Sequence, residues 1–405
     1  MTDALAIDGG TPVRTTPMPP WPCPTEAQIA AVNAVLRSGR INYWTGDEGR
    51  ALEREYAALL GRKHAVAVAN GTLALELALR AFGIGPGDEV VVPARSFIAT
   101  ASAIVTLGAT PVVADIDPGS SNLTVDTLEA VLTERTAAVI VVHLGGWPAD
   151  MDPILQLAHE NSVVVIEDCA QSHGATYRGK PVGSLGDAAC FSFCQDKIVA
   201  AGEGGLLALD DDDAFARAWE FKDHGKSLAK LTDAAFMGER TSFKWIHDSF
   251  GSNYRLPELE AAMARTALAE LPEAHAKRTA LAMRLAAGLD GVAGIGVPLP
   301  PADSAHAFYR VYAYVQPDAL ADGWDRDLIL FAIAAEGVPV QYGSCAELYR
   351  ETAFQRAGLG PATRLPGAAQ AHETSLAFFV HPTLAETDID DVIAAVHKVM
   401  AVAAR

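Results

Sequence analysis

Seven short apolar segments follow one another through the first half of this 405-residue chain. They are rich in valine, isoleucine, leucine and alanine, and they lack strict alternation with polar residues. That pattern is typical of strands buried on both faces of a sheet. The segments lie at 64–69, 89–93, 111–116, 137–143, 163–167, 188–193 and 206–209. Together they predict an α/β fold built on a seven-stranded, mostly parallel sheet.

Helical patterns separate several of these segments. One begins just after Gly71-Thr72 and carries leucine at 73, 75, 77 and 79, and two others cover about 126–132 and 151–159. Alternation of strands and helices indicates crossover connections between parallel strands. In such a sheet, ligands bind at the carboxyl ends of the strands. We therefore expect the functional residues to follow directly after the apolar segments.

The character of the chain changes after residue 256. Residues 257–289 form one long Ala/Leu/Glu-rich helical pattern, which Pro272 is expected to break, and a Gly/Pro-rich stretch follows at 291–301. The remainder predicts a smaller α/β unit with strands near 309–315 and 338–342 and a closing helix from about 389. The predicted division is a large domain at 1–256, then a linking helix and small C-terminal domain at 257–405.

Composition and charge exclude several classes of partner. The formal net charge is −19, which disfavours nucleic acid because phosphate backbones are held by clustered lysine and arginine. No apolar run approaches the roughly 18–20 residues that span a bilayer. Residues 1–20 also lack the basic and apolar regions of an export signal. We expect a cytoplasmic protein without nucleic-acid or membrane partners.

The cysteines favour reduced thiols. An odd number without a Cys-x-x-Cys pair does not fit a disulfide framework; the five are Cys23, Cys169, Cys190, Cys194 and Cys345. A metal trio of Cys169, Cys190 and Cys194 would lack a fourth ligand. Small buried side chains are the simpler interpretation, so no metal is expected.

The segment 192–205 carries the strongest chemical signal. Lys197 lies just beyond a predicted strand, in a loop that runs into Gly202, Gly204 and Gly205. A lysine desolvated in such a pocket can lose its proton and form a Schiff base with a carbonyl. The alternative is a solvated loop lysine beside a tight turn, and this segment alone does not decide between them.

A carboxylate ends the preceding strand. Asp168 follows the apolar run 163–166, and Glu167 would point to the opposite side of the pleat. An ionised carboxylate at this edge could keep the ring nitrogen of pyridoxal 5′-phosphate (PLP) protonated, which strengthens that cofactor as an electron sink. A capping aspartate at a strand-to-helix turn is the structural alternative.

Two weaker signals lie at the same predicted edge. Asn70-Gly71-Thr72 connects a strand to a helix, where first-turn N–H groups and the Thr72 hydroxyl suit a phosphate. Phe97 follows the second strand and could stack on a flat ring, although it could equally belong to the core. The four signals are persuasive through their order, since each lies at a strand end.

These motifs resemble the DegT/StrS-type sugar aminotransferases, within the fold-type I PLP enzymes. The likeness runs from 9–14 to the last helix. It is dense over 69–72, 85–90, 142–145, 167–174, 191–205 and 251–255. The resemblance implies the fold of a fold-type I PLP aminotransferase, and it implies PLP as the cofactor.

The resemblance also implies roles at individual positions. Lys197 matches the lysine that holds PLP, and Asp168 matches the partner of the pyridinium nitrogen. The remaining cofactor-binding positions are the ring-hydroxyl contact Gln171, the phosphate positions Gly71, Thr72 and Ser192, the ring-covering Phe97, and Asn253. Asn253 matches a residue that reaches the cofactor phosphate of the neighbouring subunit. The expected assembly is therefore a homodimer with shared active sites.

One segment departs from the family pattern. Many relatives carry a His-Tyr pair near the small-domain strand, where this chain has Gln341-Tyr342-Gly343-Ser344-Cys345. That loop faces the substrate in the family, so the resemblance does not fix the acceptor. Lys197 itself favours transamination, because dehydratase relatives carry histidine there.

The expected reaction moves an amino group from glutamate or glutamine to a keto sugar that is nucleotide-linked. A keto-cyclitol is the nearest alternative acceptor, and a non-catalytic PLP-binding regulator is the alternative from another class. Cations that could anchor a diphosphate are Lys222, Lys226, Lys244, Arg255 and Arg310. His143, His173 and His224 are expected to be structural or, for the first two, to line the site near the ring.

Overall fold

The computed structural model describes residues 4–233 and 244–405. All seven predicted strands form, with ends that differ from the prediction by at most two residues. They are β1 His64–Val68, β2 Glu89–Pro93, β3 Thr110–Ala114, β4 Thr136–Val142, β5 Val164–Asp168, β8 Ala188–Ser192 and β9 Gly205–Leu209. Two short strands, β6 Thr176–Tyr177 and β7 Lys180–Pro181, lie between β5 and β8.

The seven strands form one sheet in the order β1-β9-β8-β5-β4-β2-β3. Strand β9 runs antiparallel to both β1 and β8, and the other pairs are parallel. Successive side chains point to opposite faces, so Val139 and Val165 enter one core and Ile140 and Ile166 enter the other. Burial on both faces explains the unbroken apolar runs and confirms the predicted α/β fold class.

Helices cover both faces of the sheet and build the C-terminal part. The α-helices are Glu26–Ser38, Glu48–Leu60, Gly71–Ala81, Ala99–Thr106, Val125–Glu129, Met151–Glu160, Asp212–Lys222, Leu228–Thr232, Glu258–Leu289, Arg326–Ala335, Thr352–Ala357, Pro366–Thr374 and Glu386–Ala403. Short 3₁₀ turns lie at Ala6–Asp8, Leu144–Gly146, Pro317–Ala319 and Leu348–Arg350. The three helices predicted in the first half are all present.

The expected break at Pro272 is wrong, because Glu258–Leu289 is one helix that passes through the proline. A proline in a helix interior costs about 3 kcal/mol through its missing N–H and its ring. Packing offsets that cost here, since Leu271 is buried and the helices Glu26–Ser38 and Glu386–Ala403 both pack against the long helix.

A second sheet of four strands follows the long helix, in the order β10-β12-β14-β13. Its strands are β10 Ile295–Gly296, β12 Arg310–Val315, β13 Val340–Gln341 and β14 Ser375–Phe379, while β11 Ser304–Ala305 pairs with β6. The strand predicted at 338–342 shrinks to two residues, and β14 was not predicted. The domain boundary at 256 stays a prediction.

Within the described residues, none of the helices combines the length and the apolarity that crossing a bilayer requires. The longest, Glu258–Leu289, carries charged residues along its length.

Candidate active site

A cavity of about 1010 Å³ opens at the carboxyl ends of β5 and β8. This volume lies at the upper end of the roughly 300–1,000 Å³ that small-molecule sites occupy. It is lined by seven of the eight predicted site residues, which are Gly71, Thr72, Phe97, Asp168, Gln171, Ser192 and Lys197. The structure therefore brings together residues that are as far apart as 71 and 197 in the sequence.

Asp168 lies at the floor of the cavity as the last residue of β5. Its carboxylate accepts hydrogen bonds from the Thr100 hydroxyl (3.0 Å) and the Ala170 N–H (3.2 Å). Burial raises the pKa of Asp168 above its ordinary value, although these two donors and the charge of Lys197 oppose the shift. A buried carboxylate of this kind favours a cationic partner such as a protonated ring nitrogen.

Glu167 points to the other side of the sheet, as the pleat predicts. Its carboxylate accepts hydrogen bonds from the N–H groups of Gly183, Leu185 and Gly186 at 2.8 Å each, and it bonds to the His143 ring at 3.1 Å. Cys169 lies near this pair. Because backbone donors already occupy both carboxylate oxygens, the cluster has a structural role that holds the loop after β7.

Lys197 approaches the same cavity from the loop after β8, and its side chain is 16% exposed. Its Nζ lies 3.4 Å from the Tyr309 hydroxyl and 3.5 Å from Oδ1 of Asp196. The amine therefore points into the cavity rather than into bulk solvent. This position fits the interpretation as a reactive amine and disfavours the solvated-loop alternative.

The start of the helix Gly71–Ala81 forms the opposite wall. Asn70 caps this helix, since its side chain accepts a hydrogen bond from the Leu73 N–H at 3.0 Å. The first-turn N–H groups of a helix have no intrahelical acceptor, and those of Gly71 and Thr72 lie at the cavity. Ser192 lies beside them at the end of β8. The arrangement suits a phosphate group.

Gly71 permits a close approach between the helix start and β8. A Cβ at this position would lie 2.8 Å from the Ser192 Cβ and 3.3 Å from its Cα. Gly71→Ala is therefore expected to push apart two phosphate-binding walls and to weaken PLP binding roughly tenfold, or about 1.4 kcal/mol. Gly85→Ala is the matched control, because a Cβ there meets nothing closer than 3.9 Å. Equal PLP titration curves for the two variants would contradict this prediction.

Two further predicted residues lie where a flat ring would be contacted. Phe97 is 68% exposed yet lines the cavity, so its ring is available for stacking. Gln171 is fixed by the Gly145 N–H, which donates to its Oε1 at 2.7 Å, and its Nε2 lies 3.4 Å from the Ser344 hydroxyl. This contact links Gln171 to the loop 341–345, which is the segment that differs from the family pattern.

Asn253 is the predicted site residue that does not line this cavity. It is exposed and pairs with Asp223 in an isolated β-bridge. Its predicted role concerns a neighbouring subunit and stays a prediction.

The five cations that could anchor a diphosphate differ in whether they line the cavity. Arg310 lines the cavity, whereas Lys222 is fully buried and lies 3.5 Å from Glu53, so it is not available to a substrate. Lys226 and Arg255 each form an ion pair with Asp223. Lys244 is exposed and outside the cavity lining. Sequence reasoning failed here because it could not distinguish a buried lysine from a solvated one.

The histidines are structural, as expected. Nδ1 of His173 bonds to the Tyr56 hydroxyl at 2.5 Å, and Nε2 bonds to the Ser192 carbonyl at 2.9 Å. Burial lowers the pKa of His173 to about 3, so its ring is neutral. His224 is exposed, with a positive φ of 62°.

All five cysteines are unpaired.

Three residues of this site were missed from the sequence. Thr100 orients Asp168, and Tyr309 and Asp196 contact Lys197. Thr100 could have been found, because it lies one helical turn after Phe97. Tyr309 comes from the second sheet, and no local pattern links it to a residue more than 100 positions earlier.

The residues present fit PLP. A buried carboxylate on the floor, an amine on one wall, an exposed aromatic ring and a helix start beside Ser192 provide the contacts that its ring nitrogen, aldehyde, ring face and phosphate require.

Comparisons with known proteins agree with this geometry. The DegT/DnrJ/EryC1/StrS aminotransferase family matches residues 22–397. An L-glutamine:2-deoxy-scyllo-inosose aminotransferase of Streptoalloteichus tenebrarius is 36% identical, with 98% of this chain and 97% of that protein covered. The crystal structure of an aminotransferase from Psychrobacter cryohalolentis is 45% identical with a TM-score of 0.92, covering 95% of this chain and 99% of that one.

A more distant solved structure shows the same fold with a nucleotide sugar. DesI, solved in the presence of its TDP-sugar product, is 28% identical with a TM-score of 0.84, covering 97% of this chain and 95% of that one. Aminotransferases of this family depend on PLP, which favours an enzyme over the non-catalytic regulator considered above. The chain belongs to the DegT/DnrJ/EryC1/StrS aminotransferase family and is a PLP-dependent transaminase.

Proposed function

We propose that Lys197 and Asp168 carry an amino transfer from glutamate or glutamine to a keto group on a nucleotide-linked sugar. The observation that supports this most is the shared cavity, in which the amine of Lys197 and the carboxylate of Asp168 line the same space as the phosphate-binding helix start. We assign cofactor binding to Gly71, Thr72, Ser192, Phe97 and Gln171 as well.

Each of these residues has a distinct task. When bound, PLP supplies an electron sink for the carbon that exchanges its amino group. Lys197 would hold the cofactor covalently and, once released by the amino donor, would move a proton between neighbouring atoms as a general base. Asp168, which Thr100 orients, would keep the ring nitrogen protonated. Phe97 and Gln171 would hold the ring through its face and its hydroxyl.

Arg310 is the candidate anchor for an anionic group on either substrate. It lines the cavity, its side chain is 13% exposed, and its guanidinium lies over the rings of Tyr309 and Phe379. Stacking of this kind holds a guanidinium in place, and Nη1 also donates to the Tyr309 carbonyl at 2.8 Å. A guanidinium has five N–H donors, so others can serve a carboxylate or phosphate.

A keto-cyclitol is the second candidate acceptor. The Streptoalloteichus relative acts, by its name, on such a ketone with glutamine as the donor, whereas DesI was solved with a TDP-sugar product. Both acceptors offer a ring ketone, and they differ in the presence of a diphosphate.

Two half-reactions test the proposal. Glutamate and glutamine are added separately to the PLP-loaded protein, and loss of the cofactor's violet-edge absorbance reports amino transfer. The aminated form is then incubated with nucleotide-linked keto sugars and with keto-cyclitols, and the amino product is detected by mass. Absence of an absorbance change with every donor would overturn the proposal, and product from the cyclitols alone would favour the second acceptor.

We also propose a homodimer with shared active sites, in a cytoplasmic setting. The segment before Asn253 presents two large apolar side chains to solvent, Trp245 at 78% and Phe250 at full exposure. Exposed apolar side chains close together favour a subunit contact. Such a contact would carry Asn253 towards a neighbouring site.

Mixing two inactive variants tests the shared site. If Asn253 serves the partner subunit, dimers formed between Lys197→Ala and Asn253→Ala chains contain one intact site and one doubly altered site. After subunit exchange about half of the dimers are mixed, so activity should recover to about a quarter of the native value. No recovery, with exchange confirmed by tagged subunits, would place Asn253 in its own subunit's site, and an active Asn253→Ala protein before mixing would place it outside any site.

A further inference from the structure

The carboxylate of Asp196 lies next to Lys197 and contacts groups from two parts of the chain. Its Oδ1 is 3.5 Å from Nζ of Lys197, and its Oδ2 accepts a short hydrogen bond from the hydroxyl of Tyr309. Nη2 of Arg310 is 3.7 Å from the same oxygen. Asp196 therefore connects the loop after β8 to the start of β12.

Tyr309 completes a three-residue contact. Its side chain is buried, its hydroxyl lies 3.4 Å from Nζ of Lys197, and the amine lies 4.8 Å from the centroid of its ring. A phenol that donates its hydrogen to Asp196 presents an oxygen lone pair to the amine. The carboxylate and the phenol thus face the Lys197 nitrogen together.

We propose that Asp196 and Tyr309 are positioning residues for Lys197, in which the Asp196 carboxylate favours a proton on the Lys197 nitrogen and Tyr309 fixes that carboxylate. This inference rests on the proposed attachment of the cofactor to Lys197. It assigns a role to the residue directly before the lysine and to a tyrosine contributed by the second sheet.

Other charged groups around Lys197 do not replace Asp196. Asp168 lies at the floor of the cavity, where the Thr100 hydroxyl and the Ala170 N–H donate hydrogen bonds to its carboxylate. His173 is neutral, because burial lowers its pKa to about 3. Arg310 opposes a proton on the Lys197 nitrogen, and Glu203 lines the cavity with its carboxylate 4.0 Å from Sγ of Cys194.

The protonation states of Asp196 and Tyr309 are consistent with this role. Burial alone would raise the pKa of Asp196, but Lys197, Tyr309 and Arg310 together hold the pKa below its usual value. Burial likewise raises the pKa of Tyr309. Asp196 is therefore ionised and Tyr309 protonated near neutral pH, as the geometry requires.

The test is a pH titration of the absorbance of the bound cofactor, which changes when the attached Lys197 nitrogen loses its proton. A nearby negative charge favours the protonated form, so Asp196→Asn should lower the midpoint of this change. The expected fall is about half to one pH unit, since Asp196 is partly exposed and its charge is screened. Tyr309→Phe leaves the charge in place but removes the hydrogen bond that fixes the carboxylate, so it should lower the midpoint by less than Asp196→Asn does.

Two further variants separate positioning from structure. Asp196→Glu keeps the charge and should restore most of the native midpoint. Glu203→Gln removes an equal charge from another wall of the cavity and should leave the midpoint within about 0.2 units of the native value. An unchanged midpoint in Asp196→Asn, or an equal fall in Glu203→Gln, would overturn the inference. Failure of the native protein to bind PLP covalently would instead refute the proposed function.

Discussion

Replacing Lys197 with alanine is expected to reduce the rate of amino transfer by roughly 10⁴-fold or more, because the residue acts as both covalent anchor and general base. The variant should still bind PLP, since Asp168 and the helix start at Gly71 remain. It should lose the ability to be fixed to the cofactor by borohydride. Both effects are measured on purified protein, by half-reaction kinetics and by intact mass after reduction.

The control for this variant is Lys180→Ala. Lys180 is the exposed first residue of β7 and lies outside the cavity lining, so its loss should change neither the rate nor the reduction product. The fold should survive Lys197→Ala, because the hydrogen bond between Tyr309 and Asp196 does not involve the lysine. A Lys197→Ala protein with near-native turnover would refute the catalytic assignment.

Replacing Asp168 with asparagine is expected to have the second largest effect. The variant cannot pair a charge with the ring nitrogen, and breaking a buried ion pair costs about 3–5 kcal/mol. The rate of the half-reaction should therefore fall by roughly 10²–10⁴-fold, with weaker PLP binding. Stopped-flow absorbance with glutamate or glutamine measures this loss.

In the cofactor-free protein, the same variant should not reduce stability. Burial raises the pKa of Asp168 above its unfolded value, so its contribution to stability is complete below the unfolded pKa, which is about 3.9. That contribution is lost as the pH rises through the folded pKa. At pH 7, which is above the unfolded pKa, burial makes this carboxyl unfavourable in the native protein without PLP, and Asp168→Asn removes the ionisable group. The melting temperature of the cofactor-free variant should be equal to or above the native value.

Asp115→Asn is the matched comparison. Asp115 accepts hydrogen bonds at 2.8 Å from the N–H groups of Gly367 and Ala368, at the start of the helix Pro366–Thr374. Weakening this cap should lower stability by about 1 kcal/mol without changing PLP affinity. If Asp168→Asn instead lost stability without PLP and kept its affinity for PLP, Asp168 would be a structural cap.

The large sheet was predictable because its strands are buried on both faces, so runs such as 90–93 and 188–191 are apolar at every position. Strand β14 was missed because its sequence, Ser-Leu-Ala-Phe-Phe, directly follows a helix without a turn signal. The helix through Pro272 shows the converse error, since packing on both sides of the proline overrides its local cost.

The candidate site was predictable to the extent that its residues follow strands of the large sheet. Asp168, Lys197 and Gly71 each lie at a strand end, where parallel topology brings distant positions to one edge. Tyr309 and Arg310 reach the cavity from the second sheet. No local sequence pattern predicts how the two sheets are placed relative to each other. Lys222 was included among the candidate cations because the charge of a side chain does not predict whether it is buried. In the structure its Nζ lies over the rings of Tyr43 and Trp219.

Peptide mapping after borohydride reduction tests the central claim most directly. The protein is loaded with PLP, reduced, digested and analysed by mass spectrometry, so that the covalently modified residue is read from the fragment ions. We expect one pyridoxyl group per chain, on Lys197, and none when the cofactor is omitted. Modification of a different lysine, or an unmodified Lys197 in protein that has bound PLP, would contradict the account.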